Sequence, residues 1–245
     1  MNTMDQKELI FRKFQIDKFN PKKSVPTVSM TIDIQMENAQ TQINIINSNS
    51  ENNDKITITH FVIKVVGETL MDFPFLYSYF DGKRMVNNDV LKLNIPVAEN
   101  NHVEYVVIES PEKKDLKEIS IEVRKEVANI RNNCGKFYNS VKKLYSLPSF
   151  IRLFVHKNMK ISIRSAYKHY GNFPITNFGS FGVKNGTPIL SSPIVAALCI
   201  GSIEKNSKPI MPVTLVFDHR PIDGAYGGRF LKKLKNNLEA EKFSK

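Results

Sequence analysis

Apolar positions recur along this chain with two different periods. Leu116, Ile119, Val123, Val127 and Ile130 are spaced 3, 4, 4 and 3 apart, with charges between them. That spacing lays one apolar stripe along a helix, here following Pro111. Residues 57–73 read as another helix: Phe61/Val62, Val65/Val66 and Leu70 recur at helical spacing, Thr59 is placed to cap it, and Pro74 stops it. From Ala225 a third helix places Phe230, Leu231, Leu234 and Leu238 inward and lysines outward. Strand patterns lie between these. Val25–Ile34 is rich in Val, Thr and Ile and alternates loosely, residues 75–97 suit short strands around the turn Asp81-Gly82, and Val103–Ile108 is a further strand. Phe173–Phe178, Ile194–Ile200 and Val213–Phe217 also read as strands. The last two are almost unbroken apolar runs, as expected for strands covered on both faces. Residues 142–163 are apolar, basic and ambiguous. Residues 47–54 are strongly polar and read as an exposed loop within one domain. Interleaved strands and helices predict an α/β two-layer sandwich, a mixed sheet with packed helices.

With 245 residues, the chain suits one large domain or two small ones, and 41% hydrophobic and 24% charged residues are ordinary for a globular protein. No internal repeat or Gly/Ser-rich linker divides it, so residues 1–245 are taken as a single domain. No apolar stretch reaches the ~18–20 residues of a transmembrane helix, and Met1–Asn20 lacks the apolar core of a secretory signal. Lys plus Arg number 35 against 24 Asp plus Glu, a net charge of +11. Such an excess favours an anionic partner: nucleic acid, an acidic membrane surface or a polyphosphate ligand. The basic residues are dispersed, with modest clusters at Lys113-Lys114, Lys142-Lys143 and Lys232-Lys233-Lys235, which reads as a solvated surface. No ribonucleoprotein or helix-turn-helix pattern supports nucleic-acid binding. Cys134 and Cys199 are far apart, which disfavours a disulfide framework or a cysteine zinc site and suits a reducing, cytoplasmic setting. Cys199, inside an apolar run, reads as a small buried hydrophobe.

The concentrated chemistry lies near the C-terminus. The apolar strand Val213–Phe217 runs directly into Asp218-His219-Arg220-Pro221-Ile222-Asp223-Gly224. Polar groups crowded at the end of a buried strand are costly unless they pair or face a cavity. Of the five histidines (His60, His102, His156, His169, His219), only His219 has this setting. Asp223 follows four residues later, and Gly224 would permit a sharp reversal before the helix. One reading is a self-satisfied turn, with Asp218 and Arg220 paired. The other is a catalytic imidazole acting as general base beside a carboxylate. His156 and His169 have no ligand-like neighbours, so no metal is expected. Gly179, Gly182 and Gly186 lack the context of a phosphate loop. Tyr77, Tyr79 and Phe80 suit a core or a channel wall.

The segment 218–224 resembles the DHRxxDG signature of the acyltransferase (E2) catalytic domains of 2-oxoacid dehydrogenases; its HxxxDG part is shared with chloramphenicol acetyltransferases. Phe173-Pro-Ile-Thr-Asn-Phe-Gly-Ser-Phe-Gly182 is similar to that family's F-T-I-S-N-L-G-x-x-G motif. The strand Ile194–Ile200 with Gly201, the helix ending in Phe73-Pro74 and Leu93-Asn-Ile-Pro-Val-Ala98 are also similar, so the match runs from about Arg12 to Glu239. The resemblance implies the chloramphenicol acetyltransferase-like fold and a homotrimer with active sites between subunits. It implies coenzyme A or acyl-CoA as substrate, with His219 as base, Thr176 supplying the oxyanion hydroxyl where Ser is usual, and Asp223 as the motif carboxylate in an ion pair, for which Arg12 is the candidate partner.

Four departures accompany the resemblance. The chain begins where the catalytic domain begins, so lipoyl and peripheral-subunit-binding domains are expected to be absent. It would then hold no covalent lipoyl and work with a lipoyl carrier or dehydrogenase components in trans. The family's G-L-x-x-P element is replaced by His102-Val-Glu-Tyr-Val106. The connection Gly201–Pro212 is short, and Lys142–Tyr170 is long. A catalytically silent trimeric scaffold and an antibiotic O-acetyltransferase stand as alternatives.

Overall fold

In the computed structural model, residues 6–18, 25–48, 55–99, 101–152, 170–205 and 208–240 are described. In chain order these form α1 (Gln6–Lys18), β1 (Thr27–Gln35), α2 (Glu37–Ser48), α3 (Ile58–Leu70), β2 (Tyr79–Phe80), β3 (Met85–Val86), β4 (Lys92–Glu99) and β5 (His102–Glu109). They continue as α4 (Leu116–Arg131), α5 (Lys136–Tyr145), β6 (Phe173–Asn177), β7 (Ala196–Ile200), β8 (Glu204–Lys205), β9 (Pro209–Asp218) and α6 (Gly224–Glu239). The main sheet runs β1-β9-β7-β6-β4-β5, with β8 beside β9; β2 and β3 form a separate ribbon. The β7/β6 and β6/β4 pairs are parallel and the others antiparallel, which is the mixed α/β sandwich the sequence predicts.

Alternation along the strands divides the buried residues between two faces. Leu198 and Ile200 of β7, and Val213, Leu215 and Phe217 of β9, join α3, α4 and α6 in the main core. Ala197 and Val216 point the other way, into a second cluster with Ile10 and Phe11 of α1, Phe137, Tyr138 and Tyr145 of α5, and Tyr170. This two-sided burial explains why β7 and β9 read as continuous apolar runs.

The helix caps differ in one place from expectation. The α3 N-cap is Thr57, not Thr59: its Oγ1 accepts from the His60 amide at 3.4 Å, and His60 Nδ1 accepts from the Thr57 amide at 3.2 Å. Asp115 and Glu118 make the equivalent reciprocal box on α4. Three helices are not read from the sequence because their stripes are weak or polar. In α2 the buried positions include Gln42, whose Nε2 donates to the Ala240 carbonyl at 3.1 Å, while Asn38 Nδ2 donates to the Glu239 carbonyl at 2.8 Å. Side-chain amides thus do part of the work of an apolar face. On α1 the buried Ile10 and Phe11 are flanked by exposed Leu9 and Ile16, which blurs the stripe. On α5 the inward residues are aromatic.

Asn47 and Ser48 end α2 rather than belonging to a loop, and the Asn47 side chain ties back to the main chain of Ile56 at 2.7 and 2.8 Å. Residues 49–54, the ambiguous 153–163, His156 and His169 lie outside the described residues. The Asp81-Gly82 turn joins β2 to β3 as expected, with Gly82 at φ +94° and Asp81 Oδ1 accepting from the Lys83 and Arg84 amides. Among the described residues, no helix is long and apolar enough to cross a membrane.

Candidate active site

The turn after β9 is built by its own side chains. Asp218 is 2% exposed, and Arg220 clamps it: Nε to Oδ1 at 2.9 Å, Nη2 to Oδ2 at 2.6 Å, and the Arg220 amide to Oδ1 at 3.0 Å. The guanidinium also lies 5.0 Å from the centre of the Phe80 ring, from β2. Held between them, His219 stands exposed, with its amide on the Pro26 carbonyl and its ring edge-on to Phe217. Its Nδ1 sits 2.9 Å from the Ile222 carbonyl oxygen. A carbonyl only accepts, so Nδ1 carries the hydrogen of the neutral ring, and Nε2 is left with an outward lone pair.

Asp223 is the N-cap of α6: its Oδ1 accepts from the Tyr226 amide at 2.7 Å. Among the described residues of one chain it makes no ion pair. Arg12, the candidate partner, belongs to α1, which packs against β5 and α5 at the far edge of the sheet. A carboxylate at a helix N-terminus is already stabilised by the free amides there. Gly224 does not make the reversal either. It starts α6 with no left-handed φ, and the turn is formed by residues 219–221.

Thr176 occupies β6, with Pro174 on the same face. The residue after it, Asn177, anchors the strand end. Asn177 Nδ2 donates to Thr59 Oγ1 at 2.9 Å, and its Oδ1 accepts from the Ser180 amide at 3.0 Å. Thr59 is therefore a support for this loop rather than a helix cap. The loop also closes tightly on the turn after β7: a Cβ on Gly179 would lie 2.4 Å from the Gly201 carbonyl oxygen, and a Cβ on Gly201 1.7 Å from that of Lys184. Glycine is required at both.

Beside Thr176 opens a cavity of about 440 Å³. Its walls include Val103, Tyr105, Tyr170, Leu190, Ile194 and Ala197, so it is mainly apolar. Tyr105 and Tyr170 meet edge-on at 4.9 Å, backed by Phe14 and Phe137. Burial pushes the Tyr105 hydroxyl up to about 12, so it stays protonated. Val103 and Tyr105 come from the replaced element at 102–106, and Tyr170 from the end of the long connection.

Strand register separates the two candidate groups. Thr176 lies opposite Cys199, which lies opposite Thr214, and His219 is five residues further along. At ~3.3 Å per residue and ~4.8 Å per strand step, His219 and Thr176 of one chain are about 20 Å apart. They cannot act on the same atom within one chain.

The sequence profile of the 2-oxoacid dehydrogenases acyltransferase catalytic domain matches residues 11–137 and 140–243. The chain belongs to this family. The acetyltransferase component of the acetoin cleaving system of Bacillus subtilis is 29% identical over 194 residues, covering 76% of this chain and 42% of that protein. The chain thus spans about two fifths of that relative. A probable dihydrolipoamide acetyltransferase from Listeria monocytogenes superposes with a TM-score of 0.76 at 21% identity, over 100% of this chain and 96% of the other. A chloramphenicol acetyltransferase superposes at 0.54 and 16% identity, over 96% of each chain. The fold is therefore the one shared by acyltransferase catalytic domains and chloramphenicol acetyltransferase. Within that family fold, β7 separates β9 from β6 and the two run antiparallel, so the DHRxxDG turn and the Thr-Asn-Phe-Gly loop of one chain stand at opposite ends of the sheet.

Proposed function

We propose that this chain is a CoA-dependent acyltransferase that works as a homotrimer, with each active site formed between two copies. The observation that carries the reading is the bond from His219 Nδ1 to the Ile222 carbonyl. It holds the imidazole in the tautomer that a general base needs. The ~20 Å between His219 and Thr176 in one chain supports an intersubunit site.

In this reading, His219 Nε2 takes the proton of an acceptor thiol, and the sulfur attacks the thioester carbonyl of an acyl-CoA. The carbonyl oxygen becomes an oxyanion, which the Thr176 hydroxyl of the neighbouring copy stabilises by donating a hydrogen bond. Collapse breaks the bond to the CoA sulfur, and the imidazolium returns its proton to that thiolate. A thiol of pKa ~8.5 is mostly protonated near neutral pH, so the base is worth about 10²–10⁴-fold. The +11 charge suits a substrate that carries several phosphate charges. A lipoyl carrier, supplied in trans or in cis, fits the thiol acceptor.

The test is release of CoA thiol from acetyl-CoA with dihydrolipoamide as acceptor. His219→Ala should lose about 10²–10⁴-fold in kcat while keeping CoA affinity, and Thr176→Val should lose about 10²–10³-fold. Refolding the two inactive variants together at equal amounts should restore about a quarter of wild-type activity, because one site in four then draws both groups from intact chains. No recovery, with trimers formed, would place both groups in separate roles. A wild type that binds but never turns over would mark a scaffold.

A further inference from the structure

The residues that replace the G-L-x-x-P element put two ionisable groups inside the protein. His102 and Glu104 share the face of β5 that carries Val106 and Ile108 into the main core, and their side chains are 5% and 0% exposed. The Glu104 carboxylate meets Lys7 of α1, with Nζ 2.5 Å from Oε1. Its Oε2 fills the space that a Cβ on Gly135, just before α5, would take. His102 Nε2 stands 3.7 Å from Oε1. Lys7 Nζ also donates to Asn133 Oδ1 at 3.0 Å, in the turn between α4 and α5, and lies 5.0 Å from the centre of the Tyr138 ring. One carboxylate thus joins the edge strand β5 to α1 and to the start of α5.

Such a pair adds little net stability. Desolvating two charges costs about as much as their attraction returns, and an apolar side chain would fill the same space without that cost. What the pair fixes is the arrangement, because the buried charge is satisfied only when Lys7 is seated. Seating Lys7 places the rest of α1. Phe11 stacks on the His102 ring at 4.6 Å, and Phe14 meets Tyr105, Phe137 and Tyr145 edge-on at 6.4, 5.0 and 5.6 Å. Phe137 of α5 in turn meets Tyr105 at 4.8 Å. Tyr105 follows Glu104 on the opposite face of β5, and its ring pairs with Tyr170 on the wall beside Thr176.

We propose that Glu104 is a positioning residue: clamped by Lys7, it sets α1 and α5 around β5 and through them fixes the Tyr105–Tyr170 pair beside Thr176. Its bearing on turnover rests on the acyl-transfer reading above, whereas the clamp itself does not.

Glu104→Gln keeps the shape and removes the charge. Lys7→Met keeps the stem and leaves the carboxylate buried alone. In both variants, nitration of Tyr105 and Tyr170 by tetranitromethane, located by peptide mass spectrometry, should speed up relative to that of Tyr77 in the main core. In the CoA-release assay, KM for acetyl-CoA or for dihydrolipoamide, each measured at saturation of the other, should rise about 2- to 30-fold, with kcat falling less. A merely structural loss would lower kcat through the fraction of folded enzyme and leave KM unchanged. The double variant should nitrate more slowly than Lys7→Met alone, because it no longer buries an unpaired carboxylate. Lys7→Arg, which keeps the charge, should stay near wild type in both measurements. Unchanged nitration in Glu104→Gln, or a double variant worse than either single one, would overturn the clamp. Faster nitration with both KM values unchanged would overturn the positioning role and leave the acyl-transfer reading standing. A wild type that releases no CoA thiol would overturn that reading and the role in turnover with it, while the nitration rates would still decide the clamp.

Discussion

Replacing His60 by glutamine should make the protein resistant to mild acid. His60 is 5% exposed at the third position of α3, and its Nδ1 accepts the Thr57 amide. Burial, aided by the charge of Arg124, lowers its pKa from 6.5 to about 4. The unfolded chain therefore binds a proton between those values that the folded chain refuses. Stability from this group is complete above pH 6.5, falls as the pH drops, and is fully lost below about 4. The gap corresponds to about 3 kcal/mol at 1.36 kcal/mol per decade of proton affinity. With a urea slope of ~3 kcal/mol per M, the unfolding midpoint should drop by roughly 1 M between pH 7 and pH 4 from His60 alone. Glutamine keeps the capping box, since its side-chain oxygen can accept the same amide, but it does not titrate. Urea melts at fixed protein concentration across this range should give a flatter pH dependence for His60→Gln than for wild type. Parallel curves would refute the reasoning, and so would a variant already weaker at pH 8. The consequence reaches the candidate site, because Thr59, one residue before His60, holds Asn177 beside Thr176.

Two further outcomes follow from the geometry. Asp223→Ala should cost about 1 kcal/mol through the lost α6 cap, and Asp223→Asn only a few tenths, because asparagine caps nearly as well; thermal melting decides this, and an Asp223→Asn variant of full stability but no turnover would give Asp223 a chemical role. Gly201→Ala should destabilise by about 3 kcal/mol or more and displace the Thr176 loop, since its Cβ would collide with the Lys184 carbonyl; a variant with wild-type melting temperature and activity would contradict it.

What the sequence by itself determined is the set of elements with strong periodicity and the chemistry at their ends. The 3-4-4-3 stripe of α4 and the apolar runs of β7 and β9 have few alternatives, since misplacing them exposes apolar surface to water. The turn at 218–224 was legible for the same reason, as polar groups directly after a buried strand need a local answer. In the structure, Arg220 and the Ile222 carbonyl supply it. Helices α1, α2 and α5 were not legible, because amide-to-carbonyl ties and aromatic packing replace the regular stripe that periodicity detects. That Asp223 caps α6 was not legible, because only the start of the helix shows which amide its carboxylate meets. The pairing of Asn177 with Thr59 lay further still from view. A hydrogen bond across 118 residues depends on which elements become neighbours, and that is settled by sheet order and register. Register likewise keeps His219 and Thr176 of one chain apart, a separation that strand order and direction decide and that no local pattern in the sequence contains.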